Sequence, residues 1–353
     1  MQKNQDFPGI DFKVQVDGSE NIRILQLTDM QMIDATQRRY PERLREDEIC
    51  AWLPERMDAL CGDHIRSLVA QTQPDLIIIT GDIVYGSFDD SGKTLMWFID
   101  LMDSFQIPWA PVFGNHDNES NMGVSWQCEQ LARSPYCLFE RGTCTGNSNY
   151  SVGIFHGDAL VRVLYMLDSN GCHDASDPSV TRAPGIYPDQ LAWMEASYGQ
   201  IEKAYPGVPA FAAFHIPVEP FFEAETYKNY RQEGRELFVL GVDAMPTDGD
   251  FGAKLEHYYP IQTAGAFLDT AKKCRIDGVF VGHCHSINTC VFYEGIRWVF
   301  GLKTGQYDYH TPGQLGGTLI TLHAADFSVC HVPSLCHLSP YPQGGRMFEN
   351  FFV

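Results

Sequence analysis

The sequence predicts an α/β protein whose sheets are covered by helices, and three observations lead there. Short apolar runs that stop at polar tips alternate with stretches of helical spacing from about residue 22 to residue 285. The part after residue 286 is richer in strands, which makes the later sheet partly antiparallel. No internal repeat, low-complexity tract or composition break divides the chain. Residues 1–353 therefore read as one domain with an insertion at about 217–260 and an irregular tail from about 332.

The elements follow in order. "FKVQV" alternates, "DGSEN" supplies turn residues and "IRILQLTD" is a second strand, so the start reads as a hairpin. Residues 45–72 carry Leu60, Ile65, Leu68 and Val69 at helical spacing, and "PDLIIITGD" is a short buried strand ending at Gly-Asp. "SGKTLMWFIDLMDSF" is a helix and "IPWAPVFGNHDN" a strand with a polar tip. "RVLYMLDSN" and "VPAFAAFHIP" are strands separated by the helix "PDQLAWMEASYGQIEKAY", which opens with proline and an acid. "TAGAFLDTAKKCRI" is a helix, "DGVFVGHCHS" a strand and tip, and "TCVFYEG" with "IRWVFGLKTG" a strand pair. The 217–260 stretch has weak periodicity and many Pro, Gly and Tyr residues, the mark of a long functional or disordered insertion.

Composition limits the function. At 353 residues, 44% of them hydrophobic and 12% aromatic, the chain can fill a sizeable core. Forty-five acidic against 25 basic residues give a formal charge of −20, which argues against long nucleic acid held on a broad basic surface. The first residues lack the apolar core of a signal peptide and no apolar run reaches about 18 residues, so a soluble cytoplasmic protein is expected, a secreted form with a removed leader staying open. Eleven cysteines without C-x-x-C pairs read as reduced thiols rather than a disulfide framework.

Five expected strand tips carry metal-type side chains: Asp29, Asp82, Asn115 with His116, His215, and His283 with His285. Carboxylates, an amide and imidazoles are the donors for a pair of first-row ions such as Fe, Mn or Zn, with an aspartate able to bridge them. A single Gly-Asp or a lone histidine at a strand end is usually structural. "GNHD" and "GHCH" say more, because glycine lets the backbone turn tightly and the side chains converge beyond it.

With "TDMQ", "TGDIVYG", "FGNHDN", the histidine of "AFHIP" and "VGHCH", the chain resembles the calcineurin-like metallophosphoesterases, and within them the purple-acid-phosphatase-like branch. The resemblance implies a four-layer αββα sandwich of two mixed sheets, with two metal ions at the strand ends. It implies that Asp82 bridges the ions, that Asn115, His215 and His283 complete one position, and that Asp29 and His285 belong to the other. His116 would be no ligand but a stabiliser of the transition state or a proton donor to the leaving oxygen. The implied reaction is attack of a metal-bridging hydroxide on a small phosphoester. A phosphomonoester is the first choice, a phosphodiester or nucleotide the near alternative, and a non-catalytic metal-binding scaffold the distant one.

The chain departs from the family pattern D-x-H at Gln31, whose carbonyl is a weaker donor than imidazole. Purple acid phosphatases lack that histidine and use a tyrosine three residues after the bridging aspartate, the place of Tyr85. Either Tyr85 or Gln31 could complete the first position, or Tyr85 packs in its loop. Cys284 alternates away from its histidine neighbours and reads as core. Arg38 and Arg39 could clamp a phosphate or be solvated. Phe221, Phe222, Tyr227, Tyr230, Tyr258 and Tyr259 could wall a substrate or pack the insertion down.

Overall fold

A computed structural model describes residues 7–17, 21–34, 57–86, 89, 91–171, 182–306, 308–311, 313–324 and 326–334. Within them lie fourteen strands: β1 Phe12–Val16, β2 Ile22–Leu27, β3 Leu76–Thr80, β4 Trp109–Val112, β5 Tyr150–His156, β6 Ala159–Met166, β7 Ala210–Ala213, β8 Phe238–Val239, β9 Ala253–Lys254, β10 Ile276–Val281, β11 Cys290–Tyr293, β12 Ile296–Phe300, β13 Gly316–Leu322 and β14 Phe327–Pro333. The α-helices among them are α1 Met57–Thr72, α2 Lys93–Ser104, α3 Val124–Arg133, α4 Pro188–Ala204, α5 Glu219–Tyr227 and α6 Ala266–Lys273.

The strands form a seven-stranded sheet, β1-β5-β6-β7-β10-β12-β11, a five-stranded sheet, β14-β13-β2-β3-β4, and the small pair β8-β9. Both large sheets are mixed. The β2-β3-β4 and β6-β7-β10-β12 runs are parallel, while β5-β6, β11-β12, β13-β14 and β13-β2 are antiparallel.

Alternation along the strands shows how the layers stack. Leu164 and Met166 of β6, Phe211 and Ala213 of β7 and Phe280 of β10 join one buried cluster with β2, β3, β4 and helices α1, α2 and α3. Their neighbours Val163, Tyr165, Ala210, Ala212, Val279 and Val281 face the other way, into a second cluster with α4, α5 and α6. One face of the seven-stranded sheet thus packs on the five-stranded sheet and the other is covered by helices, the four-layer sandwich expected. β2 and β3 are buried almost throughout, as strands covered on both faces must be.

Two expectations need correcting. β1 and β2 do not form a hairpin: β1 pairs in parallel with β5, Val14 opposite Ile154, while β2 lies between β13 and β3 in the other sheet. Alternation correctly marks β1 as a strand, but does not name its neighbour. The 217–260 insertion is also more ordered than expected, holding α5 and the β8-β9 pair. Its Phe221, Tyr230 and Tyr258 are buried, and a buried Lys254–Glu225 ion pair at 2.7 Å lies within it. Tyr227 and Tyr259 are exposed. Residues 45–56 of the first expected helix, together with Arg38, Arg39 and the tail beyond residue 334, lie outside the described residues.

Eight cysteines among the described residues are free thiols, and Cys284 is buried in the second core cluster as its alternation required. No helix of the described residues is long and apolar enough to cross a membrane.

Candidate metal centre

The sheet order decides where chemistry can gather. β2, β3 and β4 are parallel neighbours in one sheet, and β7 and β10 are parallel neighbours in the other. Their C-terminal ends face the same side of the sandwich, where Asp29, Asp82, Asn115, His116, His215, His283 and His285 follow them.

The tips are held together by main-chain bonds that continue past the strands. The N–H groups of Asp29, Gln31 and Met32 donate to the carbonyls of Gly81, Asp82 and Ile83 at 2.8–3.1 Å. Asp29, Gln31, Asp82 and His283 all take positive φ, 46–74°, a conformation costly for residues with a Cβ. Four strained positions around one point mark a place where the fold trades stability for the aim of its side chains. A Cβ on Gly114 would lie 2.1 Å from Asp82 Oδ1, and one on Gly282 would lie 1.9 Å from Thr28 Oγ1, so only glycine allows these tips to approach.

Asp82 is the centre of the arrangement. Oδ1 accepts the His116 N–H at 2.9 Å, and Oδ2 lies 3.3 Å from His215 Nε2 and accepts from Gln31 Nε2 at 3.3 Å. Asp29 accepts from Thr28 Oγ1 at 2.7 Å and from the His283 N–H at 3.0 Å, and its Oδ1 lies 3.5 Å from His285 Nε2. Ligand atoms of Asp29, Asp82 and His215 all fall within 4.8 Å of one another, and all three residues are buried. His283 stands edge-on to His215 with ring centroids 5.1 Å apart.

Whether these residues suit a metal ion can be judged from where the imidazoles put their protons. His215 Nδ1 donates to the Thr80 carbonyl at 2.7 Å and His285 Nδ1 to the Tyr309 carbonyl at 2.9 Å. Each ring thereby turns Nε2 inward, and His215 Nε2 meets Asn115 Oδ1 at 3.2 Å as well as Asp82 Oδ2. Lone pairs of a nitrogen, an amide oxygen and a carboxylate oxygen converge, with the outer ring nitrogens anchored as they are behind metal sites. The donor set fits a first-row cation.

The charges agree. Burial pushes Asp29 and Asp82 up, but the neighbouring imidazoles outweigh it and hold both below the carboxylate range, Asp29 at about 2. Burial and the charge of His215 press His283 down to about 4. Burial also pulls His116 down, yet Asp82 and Glu119 override it and hold it up at about 9.

His116 sits apart from the donors. Its Nδ1 meets Glu119 Oε2 at 2.9 Å, its ring lies on Tyr85, and Nε2 is left to reach a reacting group. Of the two weaker candidates for the first metal position, Tyr85 presents its ring face to His116. Gln31 is buried, turns its amide nitrogen to Asp82 and gives its carbonyl oxygen to Lys303 Nζ at 3.0 Å.

Three contributors escape the sequence reading. Lys303, 1% exposed, also donates to the Asp29 carbonyl at 2.8 Å, and burial pulls its ammonium below the usual range. Asp117 takes the N–H groups of Asp82, Val84 and Gly114 at 2.7–3.0 Å and so ties the β3 and β4 tips; burial and the charge of Asp82 raise it to about 7. Tyr309 stacks on His285 with centroids 4.3 Å apart. Asp117 stands in plain view in "GNHD", whereas Lys303 and Tyr309 give no signal beyond following an apolar run. The insertion reaches this edge through Glu256, which accepts the Ser286 N–H at 2.7 Å.

An αββα sandwich with acidic and imidazole donors at the parallel strand ends defines a metal-binding phosphoesterase class. The chain belongs to the calcineurin-like phosphoesterase family, whose model matches residues 22–286. It is 26% identical over 289 residues to "Probable inactive purple acid phosphatase 29" of Arabidopsis thaliana, covering 73% of this chain and 67% of that one. It is 24% identical over 257 residues to "Phosphatase DCR2" of Saccharomyces cerevisiae, covering 67% of this chain and 40% of that longer protein. Among solved structures, a dimetal phosphatase from Danio rerio superposes over 89% of this chain and 96% of its own, with a TM-score of 0.53 at 12% identity, a likeness of fold.

Proposed function

We propose that this protein is a metal-dependent phosphoric ester hydrolase that acts on small phosphomonoesters. The observation that carries the reading is that Asn115 Oδ1 and Asp82 Oδ2 both lie within 3.3 Å of His215 Nε2, beside Asp29 and with His116 bonded to Asp82 from the other side. Asp29, Asp82, Asn115, His215, His283 and His285 would hold two ions of Fe, Mn or Zn. Gln31, whose carbonyl accepts from Lys303, and Tyr85, whose ring stacks on His116, border this set. Bound there, the ions would activate a water and neutralise the phosphoryl oxygens.

The chain's own residues supply the remainder. Glu119 fixes His116 at Nδ1, Asp82 fixes its main chain, and Nε2 is the atom that protonates the leaving alkoxide. The net charge of −20 disfavours long polyanions and leaves small esters as substrates.

A second reading, a non-catalytic scaffold, is favoured by Gln31 and Lys303 at the first position and by the word "inactive" in the name of the plant relative. The oriented His116–Glu119 pair opposes it, because a scaffold has no use for a proton donor held beside the donor set. Metal-stripped protein reloaded separately with Mn, Zn or Fe and assayed on p-nitrophenyl phosphate and bis-p-nitrophenyl phosphate decides. Metal-dependent turnover of the monoester supports the proposal, a preference for the diester moves it to phosphodiesterase, and no turnover in folded protein leaves the scaffold.

A further inference from the structure

The two flanks of Asp82 are unequal. On one, Asn115 Oδ1 and Asp82 Oδ2 lie within 3.3 Å of His215 Nε2, and the His283 ring stands beside that of His215. On the other, Asp29 and His285 share the space with Gln31. Gln31 has one atom able to ligate a cation, its carbonyl oxygen, and the donor-only ammonium of Lys303 holds it at 3.0 Å. The same ammonium bonds to the Asp29 carbonyl at 2.8 Å and is buried from water. A cation entering this flank meets a like charge where solvent screens it poorly. It can use Gln31 only at an oxygen that already accepts from Lys303, which brings it close to that ammonium.

We propose that Lys303 makes the two metal positions unequal. The position of His215, Asn115 and His283 holds its ion tightly, while that of Asp29 and His285 holds its ion weakly and exchanges it, so that Lys303 sets how activity follows free metal. The link to activity rests on the hydrolase reading; the binding itself does not. In this scheme Lys303 is a positioning residue and a brake on affinity, acting through Gln31 and through its charge.

The test is a titration of the metal-stripped full chain with Mn²⁺ by calorimetry, with retained ions counted by mass spectrometry after gel filtration. The wild type should retain one ion per chain and fill a second position with a dissociation constant at least about 10-fold weaker. Lys303→Met should retain two ions, its weak position tightened at least about 10-fold. Lys303→Gln, which removes the charge and keeps an N–H donor, should tighten the same position and serves if Lys303→Met fails to fold by circular dichroism. Two ions of equal affinity in the wild type, or an unchanged isotherm in folded Lys303→Met, would overturn the inequality and leave the hydrolase reading standing. A wild type that binds no Mn²⁺ at any concentration would overturn both.

Discussion

Tyr85 lies flat against His116, the ring centroids 4.4 Å apart and the planes within 17°. With Glu119 at Nδ1 and Asp82 at the main-chain nitrogen, the imidazole is held on three sides. Asparagine in its place keeps a polar side chain but has no proton to give the leaving oxygen. His116→Asn should therefore lower kcat by about 10²–10⁴-fold while metal content stays that of the wild type. Turnover and elemental analysis on one preparation check both halves, and unaltered kcat would remove His116 from its role.

The same stack predicts the optics of the protein. A tyrosinate bound to Fe(III) gives a charge-transfer band in the visible. A Tyr85 that serves only to stack on His116 gives none. Iron-loaded wild type should lack the band, and Tyr85→Ala should lose at least about 10-fold in turnover where Tyr85→Phe, which keeps the stack, stays near wild type. A visible band that disappears in Tyr85→Phe would return Tyr85 to the ligands.

Asp117 predicts a cost in stability. Its two oxygens receive three N–H groups from the β3 and β4 tips. An asparagine at this position would offer a single oxygen and turn its NH₂ toward other donors. Asp117→Asn should destabilise the protein by about 1–3 kcal/mol in urea unfolding, and a midpoint equal to wild type would mean that the tips are held by other bonds.

A pH effect arises far from the centre. His331 of β14 is tucked between Thr318 Oγ1 at 3.0 Å and the Asn288 carbonyl, to which Nε2 donates at 2.7 Å. Burial presses its pKa from 6.5 down to about 4. The folded state thus favours the neutral ring, so this contribution to stability is complete above about pH 6.5 and is lost as pH falls toward 4. His331→Gln, which does not titrate, should flatten the melting temperature across that window. Equal slopes in the two proteins would show that the ring titrates freely in the fold.

The fold and the gathering of these side chains are legible for a common reason. An apolar run followed by glycine and a ligand-type residue is a local pattern, and parallel strands must end on one side, so Asp29, Asp82, Asn115, His215, His283 and His285 can be placed together from the sequence. Partners distant in sequence are not legible. Nothing around Ile24 announces that it pairs with Ile320, and for the same reason the sequence points β1 to the wrong neighbour. A lone lysine reads as solvated, and only the contacts of Lys303 with Asp29 and Gln31 show that it is not. The four left-handed residues have no sequence mark, since positive φ also falls on Gln73, Gln106 and Asp248 away from the site and no local pattern separates the two groups.

The pairing of β2 with β13 also fixes an order of events during synthesis. Asp29 leaves the ribosome early, but β2 has β13 as one of its two neighbours, and Thr28 is clasped by Thr304 through both its N–H and its carbonyl. A half-made chain carries Asp29, Asp82 and Asn115 but neither His283 nor His285, and the strand that would aim Asp29 still has one edge unpaired. An ion met at that stage finds the oxygen donors of the site without its imidazole donors, since His215 is also still to come. The side chains that would discriminate among metals are complete only after His285 has emerged, and they are aimed only when β13 closes the open edge of β2.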